Sequence, residues 1–258
     1  DSPEIVRTLT VLAVLHRQQG EYAHAEPYYK RALAIMEKAL GAMHPEVASR
    51  LNSLACFYLG QNQYALAEPL LKRALAIREK VRGPNHSDVA NTLHNLSFLY
   101  MRRGQLAEAE QLLHRVVAIQ ESTLGADHPE LAQSYAGLAA VLWSQGQYAQ
   151  AETMLKRVLV SQERRLGPDH PDVSETLSAL AGLALSRGKK QEALPLLERS
   201  LQIDEAALSQ AVSEPRVASL LALHRRDADM LNSLLLSPER DPGLLPLALR
   251  LSLLRKGR

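Results

Sequence analysis

Residues of one type recur at a fixed step of 42 along most of this 258-residue chain. Gly20, Gly104, Gly146 and Gly188 stand on one ladder, and the remaining rung is Asn62. Asparagine is the best substitute for glycine where the backbone needs positive φ, so the column reads as a tight turn. Ala25, Ala67, Ala109, Ala151 and Ala193 form a second column, and Leu12, Leu54, Leu96, Leu138 and Leu180 a third. Tyr22, Tyr64, Leu106 and Tyr148 form another, and so do Ile35, Ile77, Ile119 and Ile203, interrupted by Ser161. A repeat of this length constrains the fold more than any other feature. Each copy is one supersecondary unit that cannot bury its apolar face alone, and stacking the copies builds a continuous core.

Within a copy the apolar spacing is helical. In "EVASRLNSLACFYLGQ", Val47, Leu51, Leu54, Ala55 and Tyr58 recur at steps of three and four. After the turn, "YALAEPLLKRALAIREKV" does the same through Tyr64, Ala67, Leu71, Ala74, Leu75 and Ile77. Each copy is therefore two antiparallel helices, and the fixed alanines let helix axes approach closely. The expected architecture is all-α: a solenoid of stacked helix pairs. Five repeats cover residues 1–208, at about 1–42, 43–84, 85–126, 127–168 and 169–208, and a helical connector covers 209–258.

Four near-copies of one segment join the units: "GAMHPEV", "GPNHSDV", "GADHPEL" and "GPDHPDV". A histidine beside an acid, four times over, invites a metal or proton-transfer reading. The surrounding residues favour a structural joint. Gly41, Gly83, Gly125 and Gly167 follow a helix, where a left-handed residue is favoured. Pro45, Pro129 and Pro171 suit the first position of the next helix, and Ser87 in their place can act as an N-cap. Glu46, Asp88, Glu130 and Asp172 then meet the positive end of the helix dipole. Equivalent histidines in neighbouring units stand at least ~8–10 Å apart, one helix width. A zinc ion needs nitrogens within about 2.1 Å. No metal and no cofactor is expected.

Apolar residues make up 46% of the chain but aromatics only 4%, so the core is chiefly Ala and Leu, both strong helix formers. With 30 basic and 28 acidic residues, the charge balance argues against nucleic acid or an anionic membrane as main partner. The single cysteine, Cys56, excludes an internal disulfide framework and suits a reducing cytoplasm. "DSPEIVRTLT" carries no signal-peptide pattern, and "GLLPLALRLSLL" is too short for a bilayer.

The pattern "L..LA..Y…G.Y..AE.LL.RAL.I.E" resembles the tetratricopeptide repeat, and the 42-residue length with "LG.DHP.VA" at the elbow is similar to the kinesin-light-chain type. That resemblance implies a right-handed superhelical solenoid and a protein-binding scaffold whose first helices line a concave groove. Its groove positions are those outside the packing columns. They are Arg7, Thr10, Val14 and Arg17 in the first repeat, and Ser49, Asn52, Cys56 and Leu59 in the second. The third supplies Asn91, His94, Phe98 and Met101, with Asn95 and Arg102 beside them. The fourth supplies Gln133, Ala136, Ala140 and Trp143, and the fifth Glu175, Ser178, Gly182 and Leu185. Carboxylate-clamp members of the family carry lysine at such sites, and this groove has none, which disfavours a terminal-carboxylate ligand. Asn52 and Asn91 suit bidentate hydrogen bonding to a peptide backbone. Phe98, Met101 and Trp143 form an apolar sector that serves either partner contact or packing. Arg7 and Arg17 at one end and Glu175 at the other set a direction for the ligand.

Residues 209–258 leave the 42-residue register but stay helical in spacing, punctuated by Pro238 and Pro242. The ending "LALRLSLLRKGR" resembles the connector of bacterial proteins in which such repeats precede a CHAT domain, a caspase-like peptidase. The resemblance implies a cytoplasmic bacterial regulatory scaffold with a peptidase continuing past Arg258. The alternative is a free-standing peptide-binding adaptor. An independent enzyme is disfavoured: a Cys–His dyad needs a histidine in hydrogen-bond reach of Cys56, with His94 on the neighbouring first helix as candidate, and glycines stand singly at turns instead of forming a phosphate loop.

Overall fold

A computed structural model describes residues 3–125 and 128–210. Among these residues there are ten helices and no strand: α1 (Pro3–Gln18), α2 (Tyr22–Leu40), α3 (Pro45–Gly60), α4 (Tyr64–Arg82), α5 (Ser87–Arg102), α6 (Leu106–Thr123), α7 (Pro129–Ser144), α8 (Tyr148–Leu166), α9 (Pro171–Ser186) and α10 (Lys190–Gln210). The odd and even helices are the first and second members of the five expected pairs. The connector expected at 209–258 lies almost wholly outside the described residues; α10 ends where it would begin.

The chain divides into two compact units, one through Gly125 and one from Ala126. In the first, α1 packs on α2, α2 on α3, α3 on α4, α4 on α5 and α5 on α6, and the first helices α3 and α5 also meet directly. In the second, α7 packs on α8, α8 on α9 and α9 on α10. The alanine column is the reason the pairs close so tightly: Ala25, Ala67, Ala109, Ala151 and Ala193 are each 0% exposed. Leu54, Leu96, Leu138 and Leu180 are buried beside them.

The turn column behaves as its chemistry requires. Gly20, Gly104, Gly146 and Gly188 have φ between 72° and 78°, and Asn62 takes φ 59°, the one non-glycine residue with positive φ among those described. The second glycine column differs from expectation. Gly41, Gly83 and Gly167 combine φ of 85° to 90° with ψ of 154° to 159°. That combination of positive φ with ψ near 155° is open essentially to glycine alone, and is not the left-handed helical region. The chain needs to reverse and extend there, because the next residues run out to a cap.

That cap is the histidine. His44, His86, His128 and His170 each hold an extended backbone, and each Nδ1 accepts a hydrogen bond from the backbone N–H two residues on, at 3.1 to 3.2 Å. The imidazole thus satisfies one of the orphan donors of the first turn, as a Ser or Asp side chain would. Ser87 was expected to supply the cap where proline is missing. It is instead the first residue of α5, and His86 caps.

Glu37, Glu79 and Glu163 form a further column in the 42-residue register. Glu37 pairs with Arg73 at 2.5 Å, Glu79 with Arg115 at 2.6 Å and Glu163 with Arg199 at 2.6 Å. Each arginine also donates to an elbow carbonyl, of Ala42, Pro84 and Pro168 respectively. One arginine at each of these junctions therefore clips consecutive second helices and the elbow between them.

Candidate functional site

A partly exposed cluster of polar groups on the first helices lies where α3 meets α5. Asn95 donates from Nδ2 to Asn52 Oδ1 at 2.9 Å, and Asn52 donates from Nδ2 to Asn91 Oδ1 at 3.4 Å. Both amides also approach the Cys56 sulfur, Asn95 at 3.4 Å and Asn52 at 3.9 Å. Helical periodicity places them. Asn52 and Cys56 lie one turn apart on α3, and so do Asn91 and Asn95 on α5, so the four make a square of two turns on adjacent helices. Asn91 is exposed, while Asn52, Asn95 and Cys56 are half-buried.

Such a cluster has a defined capacity. Each amide offers two donors and an acceptor with two lone pairs, and the hydrogen bonds described use only part of them. The Cys56 thiol is pushed above its ordinary pKa by burial, against the opposing pull of the Arg17 and Arg78 guanidiniums. A thiol held in its protonated form is a weak nucleophile, and its described hydrogen-bond partners are amides. Arg78 itself is buried in the α4–α5 junction, where it donates to the Asp88 carbonyl at 2.8 Å and to Thr92 at 2.6 Å. Its charge belongs to the junction, and the periodicity of the sequence did not single it out.

Some of the other expected groove residues lie on α5 with this centre, and the rest lie elsewhere. His94 is half-buried beside it on α5, Phe98 is 44% exposed and Met101 half-buried one and two turns on. Arg102 donates from Nε to Tyr64 Oη at 3.1 Å, and Tyr64 donates in turn to Asn62 Oδ1 at 2.6 Å. The end of α5 is thereby tied to the turn of the preceding pair. Arg17 is exposed in the last turn of α1. Arg7 sits apart from the amides, at a cleft floored by Val6, Ile35 and Met36 and edged by Arg50. In the second unit, Gln133 and Glu175 are exposed on α7 and α9, and Trp143 is half-buried near the end of α7.

Two expected groove residues are not available for contact. Leu59 is 7% exposed and joins the cluster containing Tyr29, Phe57 and Leu96, because the last turn of α3 is covered on more than one side. Ser178 is 2% exposed and shares a buried hydroxyl pair with Ser200 of α10 at 2.8 Å. The amide cluster carried a readable signal that single columns do not show. Asn52 and Asn95 stand 43 apart and Asn52 and Asn91 39 apart, one repeat plus one and one repeat minus three. Such offsets bring residues opposite one another on stacked first helices.

The family model for the tetratricopeptide repeat matches residues 4–80, 51–100, 88–160 and 137–206. Among solved structures, a Podosopora anserina protein designated a kinesin light chain, with nearly identical TPR-like repeats, is 31% identical over 82% of this chain and 100% of its own, with a TM-score of 0.72. BtubC (BKLC) from P. vanneervenii is 23% identical over 81% of this chain and 83% of its own, with a TM-score of 0.72. The apo form of RapI is 14% identical over 88% and 83%, with a TM-score of 0.68. No curated protein matches the chain. Among the described residues no helix is long and apolar enough to cross a membrane. The paired helices, the glycine turns and the family match together make this chain a member of the tetratricopeptide-repeat family, with repeats resembling those of kinesin light chain and a fold suited to protein–protein interaction.

Proposed function

We propose that the chain binds an extended polypeptide along its first helices and grips the ligand's backbone through Asn52, Asn91 and Asn95. The observation that carries this reading is the amide cluster between α3 and α5. Amides that hydrogen-bond one another in the free protein exchange those bonds for the N–H and C=O groups of a peptide at little net cost, independent of its side chains. Phe98 and Met101 supply apolar contact, and Arg17 and Arg102 supply charge at the edges. His94 lines the amide site without chemistry; within the second unit, taken by itself, Gln133, Trp143 and Glu175 are the proposed contact residues on α7 and α9. In this reading the chain acts as a scaffold, and the Cys56 thiol, pushed toward its protonated form and set among amides, is not a nucleophile. A Rap protein of the same fold is described in complex with Competence and Sporulation Factor, at 14% identity over 90% of this chain and 68% of its own, with a TM-score of 0.61. That complex is Rap's own; the reading here stands on the amides.

Selection of ligands from a displayed peptide library, followed by titration of one selected peptide, tests this. Asn91→Ala in the full chain should weaken binding about tenfold, since each 1.4 kcal/mol is a factor of ten. Equal affinity for the parent and the Asn91→Ala chain counts against the site. A second reading makes the repeats the sensor of a caspase-like CHAT peptidase following residue 258 in a cytoplasmic bacterial protein. It is supported by the sequence of residues 209–258 alone, which form the proposed connector. The gene sequence beyond that point decides it: a downstream His and Cys pair in a caspase-like context supports the link, and its absence removes it.

A further inference from the structure

We propose that His16, Glu21 and His24, around the turn between α1 and α2, form a binding site for a divalent transition cation of the zinc class. His16 Nδ1 lies 2.6 Å from Glu21 Oε2, and His24 Nδ1 lies 3.8 Å from the same oxygen. All three candidate ligand atoms lie within 4.8 Å of one another. Two imidazoles and a carboxylate are donors that zinc accepts at about 2.0–2.2 Å, which in a tetrahedral site sets ligand atoms about 3.3 Å apart. Rotamer adjustments of roughly an ångström at the exposed Glu21 and His24 side chains bring them to that spacing around the His16 ring, with water in the fourth position. Nitrogen donors favour zinc-like ions over magnesium or calcium.

The backbone beneath the three is already fixed. Glu21 donates from its backbone N–H to the His16 carbonyl at 2.8 Å, and Gly20 to the Arg17 carbonyl at 3.1 Å, so the turn is locked by its own hydrogen bonds. The His16 ring stacks on Tyr28, with centroids 5.5 Å apart and planes 14° apart, which holds its orientation. Only the first repeat carries this set. At the same three positions the second repeat has Tyr58, Gln63 and Leu66, and the third has Tyr100, Gln105 and Glu108. Tyr58 and Tyr100 reach instead to Glu26 and Glu68 of the preceding pair, at 2.8 and 3.2 Å. His16 departs from that pattern and turns to its own hairpin's acid. A cation there would staple the end of α1 to the start of α2 by a bond between elements, stabilising the folded state by RT ln(1 + L/Kd), with L the free cation concentration.

The test is calorimetric titration of the untagged full chain with zinc chloride, alongside His24→Ala and Glu21→Gln chains. The side chain of His24 is 73% exposed and that of Glu21 47%, so neither substitution opens the core, and far-UV circular dichroism checks that each variant stays folded. The elbow histidines remain in every chain and define the background. One equivalent of zinc bound by the parent, weakened about tenfold or more by each substitution, is the expected result. No saturable binding by the parent, or undiminished affinity in either folded variant, overturns the proposal.

Discussion

Two glycine columns look alike in the sequence, and neither would have a Cβ clash with a neighbour; nothing lies within 4 Å of the added atom at Gly83 or Gly104. They differ in backbone conformation. The turn column accepts asparagine, as Asn62 demonstrates at φ 59°, whereas Gly83 combines φ 87° with ψ 158°. Gly104→Asn should therefore be nearly neutral in urea unfolding, while Gly83→Asn should cost on the order of 1–3 kcal/mol. Equal costs would mean that the elbow backbone relaxes. The thiol gives a second check at this scale. Because burial raises the Cys56 pKa, less thiolate is present at neutral pH than for a free cysteine. Alkylation by iodoacetamide should be slower in the folded chain than in denaturant, and faster alkylation on folding would revive the nucleophile reading.

At the scale of elements, the pairs are joined by polar clips as well as by the alanine and leucine columns. Glu68 on α4 accepts from Lys72 on its own helix and from Tyr100 and Arg103 at the end of α5, and these hold its carboxyl below its ordinary pKa, the Lys72 hydrogen bond most strongly. Glu26 is lowered in the same way by Lys30 and Tyr58, and Glu152 by Lys156 with Arg187. A carboxylate with a depressed folded pKa stabilises the fold above its unfolded pKa of about 4.3, and that contribution fades as pH falls through the folded value. The stability of the chain should thus drop below about pH 4.3. Glu68→Gln should be less stable at neutral pH and show a shallower acid limb in unfolding midpoint against pH. An unchanged limb would mean that Glu68 exchanges its partners for water without cost, as many exposed pairs do.

At the scale of the whole chain, the period of 42 made most of the architecture legible. Helix pairs, their turns, the alanine core and the position of the elbow, though not its glycine conformation or its cap, were readable because repetition reports one local geometry several times over. What it left hidden depends on the offset between copies or on a rotamer. The Arg73–Glu37 and Arg115–Glu79 clips span 36 residues, the amide square spans 39 and 43, and the capping role of His44 is the choice of one ring nitrogen. Leu59 and Ser178 were misplaced for the same reason, since a periodic helix face does not say how many neighbours cover it. The central claim is that the amides read a peptide backbone. The direct test is to follow side-chain amide resonances of the isotopically labelled chain while a selected peptide is added. The account predicts that the NH₂ signals of Asn52, Asn91 and Asn95 move together and saturate with the bound fraction. Saturable peptide binding with those three signals unmoved would contradict it.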